Sequence, residues 1–177
     1  MTAWNKRRIR ISCLATVFTV WWLGLAVSFA EDRHDHMPAE VDGLVVSHAM
    51  SPAAAPGIKT SAVYFTLKND SSTDCDLVAV ESPAFAMAHI HKTAMADGLM
   101  TMEPVAQLTI PHGEHVTFAP GSLHVMLMGA KATFKPGDRF MLTLRFGSGT
   151  ELEVPVDVVT PGEVSGDTHD HGHMKMN

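Results

Sequence analysis

The sequence predicts a single all-β domain, a Greek-key sandwich or barrel. Between about residues 41 and 160, short apolar segments of strand length alternate with turn residues about every eight to twelve positions. No long stretch of this region repeats its apolar residues with the period of an amphipathic helix. At 177 residues the chain is long enough for one domain with a real core, and short for two.

The predicted strands follow the apolar segments in chain order. Each is short and rich in apolar or β-branched residues, and turn-forming residues separate it from the next. The main turn signals are at 69–72, 96–98, 111–113, 120–121, 136–138 and 147–149. The strands are predicted at 44–50, 62–68, 76–81, 87–93, 99–107, 115–118, 124–128, 139–146 and 151–159. Strands of this number and length favour a sandwich or barrel over residues 41–160.

The first thirty residues have the organisation of a secretory signal peptide. Basic residues between Lys6 and Arg10 precede an apolar run over 11–29, and Ser28 and Ala30 form a small-x-small cleavage pattern. Cleavage after Ala30 would release the mature chain into the periplasm. A retained transmembrane anchor is the alternative, since the run nearly reaches the length that spans a bilayer. The cleavage pattern favours processing, so no stable membrane anchor is expected.

Two further segments flank the predicted domain. Residues 31–40 are polar and contain Pro38, which predicts a flexible lead-in. After residue 160 the apolar pattern stops, and residues 161–177 are predicted to form a disordered tail rich in histidine and methionine.

Composition excludes several classes of protein. The leader takes with it four of the thirteen basic residues and none of the nineteen acidic ones, so the mature chain is acidic and nucleic acid is not an expected partner. Cys13 leaves with the leader and only Cys75 remains, which rules out an internal disulfide. The sequence shows no serine, histidine and aspartate in a catalytic-triad order, no paired acid/base carboxylates and no phosphate-binding glycine loop. An enzyme is therefore not expected.

Histidine and methionine are unusually frequent in the mature chain. All eleven histidines and eleven of the twelve methionines follow the leader. Successive side chains of a strand face opposite ways, so His124, Met126 and Met128 share one face, which is predicted to look outward, toward a partner strand or a metal. The apolar residues between them would be buried.

A second predicted strand repeats this alternation with Met87, His89 and His91. Methionine that fills gaps in a core and histidine at a rim are the ordinary explanation for any one of these residues. Two separate strands with the same alternation favour a metal site instead. Neutral imidazole together with thioether sulfur selects monovalent copper over hard cations.

The spacing of four donors resembles the signature of the PCuAC family of periplasmic copper chaperones. A histidine, ten residues, a methionine, twenty-one residues and then His-x-Met occur here without a gap. Similar segments extend over about residues 41–159. The resemblance implies a cupredoxin-like Greek-key fold with a surface site for Cu(I). Its implied ligands are His91, Met102, His124 and Met126.

The resemblance also implies a task and further metal. Family members deliver copper to the binuclear centre of cytochrome c oxidase, often alongside a Sco-type protein. Histidine-rich extensions such as the one with His169, His171 and His173 are associated with additional Cu(II). His89 lies outside the family's ligand set; it is predicted to be a further ligand or to stand at the entry to the site, with rim packing as the alternative.

Two other functions remain open at this stage. A periplasmic buffer for copper or silver tolerance would use the same ligands without a recipient. An electron-transfer cupredoxin would need a cysteine thiolate among its ligands, and Cys75 lacks a closely following histidine and methionine. The aspartates on either side of Cys75 disfavour its thiolate, which predicts a structural role.

Overall fold

The structure is a computed structural model that describes residues 38–96 and 99–164. These residues form eleven strands and no helix, which confirms the predicted all-β class. The strands are β1 (Ala39–Val41), β2 (Leu44–Pro52), β3 (Thr60–Asn69), β4 (Cys75–Glu81), β5 (Met87–Ala96), β6 (Leu99–Pro104), β7 (Leu108–Ile110), β8 (His115–Phe118), β9 (Leu123–Met128), β10 (Arg139–Phe146) and β11 (Glu151–Val159).

The strands belong to one mixed sheet. Its order is β6-β5-β9-β8-β3-β2-β11-β10-β4-β7, with β1 paired to β2 and β9 also paired to β3. Most neighbours are antiparallel, whereas β2 with β11 and β8 with β9 are parallel. Strands that are far apart in the sequence are therefore neighbours, as in Greek-key arrangements. The strands that carry the predicted ligands, β5, β6 and β9, are adjacent at one end of this order.

One apolar core lies on the inner faces of the strands. Period-two alternation in β10 buries Phe140, Leu142 and Leu144, and the same alternation operates in β11. The rings of Phe65 and Phe118 stack with centroids 4.2 Å apart. Burying a large apolar side chain contributes about 1.5–3 kcal/mol, so these inner faces hold the sheet together.

Two differences from the predicted strands concern short segments. The strand predicted at 99–107 ends at Pro104, and the N–H of the next residue, Val105, donates to the carbonyl oxygen of Ile90 in β5 at 2.9 Å. A separate strand, β7, then begins at Leu108 and pairs with β4. At the other end of the domain, β1 lies partly inside the predicted flexible lead-in, where Ala39 pairs with Val46.

A close backbone contact between the end of β9 and the residue before β5 fixes the start of β5. Gly129 follows β9 with a positive φ of 71°, and a Cβ built on it would lie 2.7 Å from the Cβ of Ala86. The N–H of Ala86 donates to the carbonyl oxygens of Met128 and Gly129, at 3.0 and 3.2 Å. This close approach positions Met87 opposite Met128 and so sets the register of the two strands.

The predicted signal peptide, the first seven residues of the lead-in and most of the tail lie outside the described residues. Across 38–96 and 99–164, no helix is long and apolar enough to cross a membrane.

Candidate metal site

Every second cross-strand pair between β5 and β9 consists of two potential metal donors, and there are three such pairs. In this antiparallel ladder His91 is paired with His124, and His89 with Met126; Met87 with Met128 is the third pair. Residues that are directly opposite in a ladder project from the same face of the sheet. The two stripes predicted from the sequence therefore meet on one face, which the sequence alone did not require.

The fourth predicted ligand reaches this face from the other side of β5. Thr93 is paired with Met102, and His91 with Pro104, in the ladder between β5 and β6. Met102 therefore shares the face of His91 and stands diagonally next to it. Because β5 lies between β6 and β9, His91 has Met102 on one side and His124 on the other.

The spacing of the two histidine rings is compatible with a shared ion. The ring centroids of His91 and His124 lie 6.0 Å apart, with the rings tilted by 56°. A bond from an imidazole nitrogen to a metal is about 2 Å long, so two imidazoles on one ion hold their ring centres roughly 5–6 Å apart. The observed spacing is at the upper end of this range.

His124 is held in one tautomer by the backbone. Its Nδ1 donates to the carbonyl oxygen of Ser122 at 3.2 Å, since a carbonyl can only accept. The lone pair of the neutral ring is then on Nε2, where a metal can bind. The residue lies on the face of β9 opposite Val125 and Leu127, yet it is only 6% exposed. β9 has strands on both sides, which lets neighbouring side chains cover it.

His91 has an unused buried nitrogen. Within the part of the chain that the structure describes, its Nδ1 is buried without a hydrogen-bond partner. Such a group costs about 1–3 kcal/mol, and binding a metal would offset that cost. Burial, and then the charges of His124 and His89, lower the pKa of His91 below its ordinary value. The ring is therefore kept neutral, as a metal ligand must be.

The two methionines differ in exposure. Met102 is 57% exposed, whereas Met126 is half-buried. A thioether in solvent can bind or leave an ion without the core having to open. The pair thus combines an anchored donor with an accessible one.

The four donors contain no hard ligand. Among the described residues, no group of three or more His, Cys, Asp or Glu side chains could hold a metal ion. The cluster around His91 is recognisable only when methionine sulfur is counted as a donor. Thioether and imidazole suit a soft cation, and a carboxylate cage for Mg²⁺ or Ca²⁺ is not formed in these residues.

His89 lies beside the four predicted ligands rather than among them. It is exposed, it is paired with Met126, and its ring centroid is 6.4 Å from that of His91. Two exposed methionines that the sequence reasoning left without a role, Met95 and Met100, form a further pair on the same face. The period-two pattern of β5, continued past residue 93, would have identified Met95.

The remaining candidate donors are elsewhere. His169, His171 and His173 lie outside the described residues. Cys75 begins β4, which pairs with β10 and β7 and is not paired with β5 or β9. Burial and the nearby Asp76 raise the pKa of its thiol, which the backbone contact with Ile110 partly opposes. The raised pKa agrees in direction with the predicted suppression of its thiolate, although burial contributes more to it than the aspartates.

A family model described as putative lipoprotein LpqE-like matches residues 44–158. The chain belongs to the LpqE-like family. One relative of this LpqE-like protein, the putative lipoprotein Lxx21020 of Leifsonia xyli subsp. xyli, is 35% identical over 131 residues. That match covers 70% of the chain and 78% of the relative.

Solved structures similar to this LpqE-like protein include PCuAC domains. The apo PCuAC domain from PmoF1 is 29% identical with a TM-score of 0.60, and the match covers 71% of this chain and 100% of that domain. The solution structure of the Cu(I) form of DR1885 from Deinococcus radiodurans is 31% identical with a TM-score of 0.54. It matches over 72% of this chain and 82% of that protein. The PCuAC resemblance predicted from the sequence motif is confirmed.

Proposed function

We propose that this protein is a copper chaperone that carries Cu(I) as cargo. The observation that supports it best is the register that makes His91 and His124 direct partners, with Met102 and Met126 on the same face. These four side chains are the proposed ligands. The similarity to DR1885, solved in its Cu(I) form, supports the choice of ion.

The ligand chemistry suits a carrier outside the cytoplasm. Two imidazoles and two thioethers are neutral, so the bound site keeps the single charge of the ion. Without a thiolate, the ligands cannot be lost to a disulfide in an oxidising compartment. A chaperone has no catalytic turnover, and nothing in the arrangement of these residues calls for any.

Exposure of Met102 supports release by ligand exchange. A donor from a recipient can bind the ion as the exposed thioether leaves, while the half-buried Met126 and the two histidines still hold it. We propose the copper centre of cytochrome c oxidase as the recipient, reached directly or through a Sco-type protein. A buffer for copper or silver tolerance is the second candidate, since the same ligands would serve it.

Export to the periplasm through the predicted leader is part of the proposal. The name of the Leifsonia relative, a putative lipoprotein, supports an exported location. Mass spectrometry of the mature protein checks it: an amino terminus at Glu31 is expected. A mature chain that keeps residues 11–29 would instead indicate an anchor.

An anaerobic Cu(I) competition titration tests the ligands. In a chain that ends at Val164, Met102→Ala and Met126→Ala should each lower Cu(I) affinity by about tenfold or more, because each removes a donor. Met141→Ala is the matched control, since Met141 is a partly exposed methionine of β10, outside the site strands. Equal affinities for all three variants would contradict the proposed ligand set.

Transfer separates the chaperone from the buffer. The copper-loaded protein is mixed with the apo copper domain of cytochrome c oxidase or with an apo Sco-type protein, and the copper content of each is followed. Transfer faster than copper loss to a small chelator indicates direct exchange. Transfer no faster than that loss favours the buffer.

The tail is proposed to bind Cu(II) through His169, His171 and His173. Electron paramagnetic resonance of the full chain should show a nitrogen-coordinated Cu(II) signal that disappears in a chain ending at Val164. An intense absorption near 600 nm in the Cu(II) form would instead support the electron-transfer alternative, which requires a thiolate ligand.

A further inference from the structure

The ladder of donors continues past the four proposed Cu(I) ligands. Beyond the pair of His91 with His124, the next pairs on the same face are His89 with Met126 and Met87 with Met128. At about 3.3 Å per residue, Met87 lies about 13 Å from His91 along β5. One ion cannot bridge that separation, so the far end of the ladder is a separate set of donors.

Met87 and Met128 are placed to converge on one ion. Side chains directly opposite in an antiparallel pair have Cβ atoms about 4.5–5.5 Å apart. Methionine has a long unbranched side chain, so both sulfurs can turn toward a common point. His89 stands two residues from Met87 on the same face and adds a nitrogen donor. Two sulfurs and one imidazole repeat the donor types of the first site.

This end of the ladder is open to solvent. Met87 is 53% exposed, His89 is exposed and Met128 is half-buried. An open groove of about 760 Å³ runs beside it, and Met87 and His89 are among its lining residues, with Glu81 of β4. An incoming ion can therefore reach these donors without passing the histidine pair.

We propose that Met87, His89 and Met128 form a second, weaker site for a soft monovalent cation, Cu(I) or Ag(I). It is weaker because two of its three donors are exposed and it contains one histidine instead of two. Met126, a ligand of the first site, is paired with His89 and lies between the two sites. The second site is a staging position for the same cargo; that role rests on the proposed function, whereas the binding itself does not.

Methyl NMR of the full chain with ¹³C-labelled methionine methyl groups tests this site, because each methionine reports separately. Silver(I) is the probe, as a soft monovalent ion that does not change oxidation state. The signals of Met102 and Met126 should shift first and those of Met87 and Met128 in a later phase. Met141, outside the site strands, should not shift with them.

Single substitutions sharpen the test. Met87→Leu and Met128→Leu, made one at a time, each keep apolar volume and remove one sulfur; the later shift of the methionine that remains should disappear, while the Met102 and Met126 shifts are kept. His89→Gln should raise the silver concentration needed for the later phase by about tenfold. The pair of Met95 and Met100 is the internal control. It is also a cross-strand methionine pair, but the next pair on its face, Thr93 with Met102, contains no histidine.

The outcomes separate the two proposals. If Met102 and Met126 shift but Met87 and Met128 do not, the second site is wrong and the first stands. If Met87 and Met128 respond only at the silver concentration that also shifts Met95 and Met100, binding is nonspecific thioether chemistry and the second site is again wrong. If only Met102 and Met126 fail to shift, the proposed function fails while the second site holds.

Discussion

The two faces of β9 show how one strand serves both stability and metal binding. On the inner face, Val125 and Leu127 are fully buried in the core. On the other face, His124, Met126 and Met128 carry donor atoms and range from buried to half-buried. Alternation alone separates the two sets, so substitutions one residue apart should change different properties. Stability should follow the first set and copper affinity the second.

The largest expected loss of stability follows a substitution on the inner face of β9. Leu127→Ala should lower the free energy of unfolding by about 2–5 kcal/mol, because it removes buried volume and leaves a cavity. Chemical denaturation of the metal-free chain measures it. Met128→Ala, one residue away on the outer face and half-buried, is the control and should cost clearly less. Similar losses for both would show that the two faces are not divided in this way.

A substitution on the outer face of β9 should instead lower Cu(I) affinity strongly and change the free energy of unfolding little. His124→Leu removes a proposed ligand but keeps a buried apolar side chain, so Cu(I) affinity should fall by about 100-fold. The free energy of unfolding should change by about 1 kcal/mol, since one hydrogen bond to Ser122 is lost. Paired titration and denaturation experiments measure both quantities. A large loss of stability with unchanged affinity would place His124 in the core alone.

As the pH falls, His91 should lower stability first and metal binding second. Because its pKa in the folded chain is lowered, His91 stays neutral below the ordinary imidazole value of about 6.5. In the unfolded chain, His91 takes up a proton at a higher pH than in the folded chain. The contribution of neutral His91 to stability is therefore full above about pH 6.5 and is lost as the pH falls toward the lowered pKa.

Protons also compete with the metal for the same nitrogen. Below the lowered pKa of His91, Cu(I) affinity should fall by up to about tenfold per pH unit for each ligand that must lose a proton. Competition titrations from about pH 8 to about pH 5 measure this. An affinity that stays flat over that range would contradict His91 as a ligand.

The smallest effect on stability and affinity is expected at the carboxyl end of β5, where Met95 lies. Met95→Ala should change the free energy of unfolding by less than about 0.5 kcal/mol, because the side chain is 69% exposed. It should leave Cu(I) affinity at the first site unchanged, since Thr93 separates it from His91 on the same face. A clear drop in affinity would extend the metal site to the end of the hairpin.

Local patterns in the sequence predicted most of the strands. The strands at 115–118, 139–146 and 151–159 were predicted with the bounds that the structure shows. The alternation of apolar and polar residues is present in the sequence of each strand, so it does not depend on which strand becomes its partner. The short strands β1 and β7 were missed, because three residues are too few to show a period and their pairing depends on β2 and β4.

The candidate site was predicted in part. The spacing of the four donors and their chemistry could be read from the chain, whereas the burial of His124 could not. Burial depends on which strands flank β9, and that is a tertiary property. The same holds for the unpaired Nδ1 of His91, which exists only because the surrounding strands exclude solvent from it.

The amino-acid sequence by itself determined the donor types, their alternation along each strand and the all-β class. Only the tertiary structure decided that His91 lies opposite His124, since a shift of one residue in the register would turn every donor of one strand to the other face. The close contact between Gly129 and Ala86 helps to fix that register. Side-chain alternation is set locally, but the pairing of strands depends on contacts between residues that are distant in the chain.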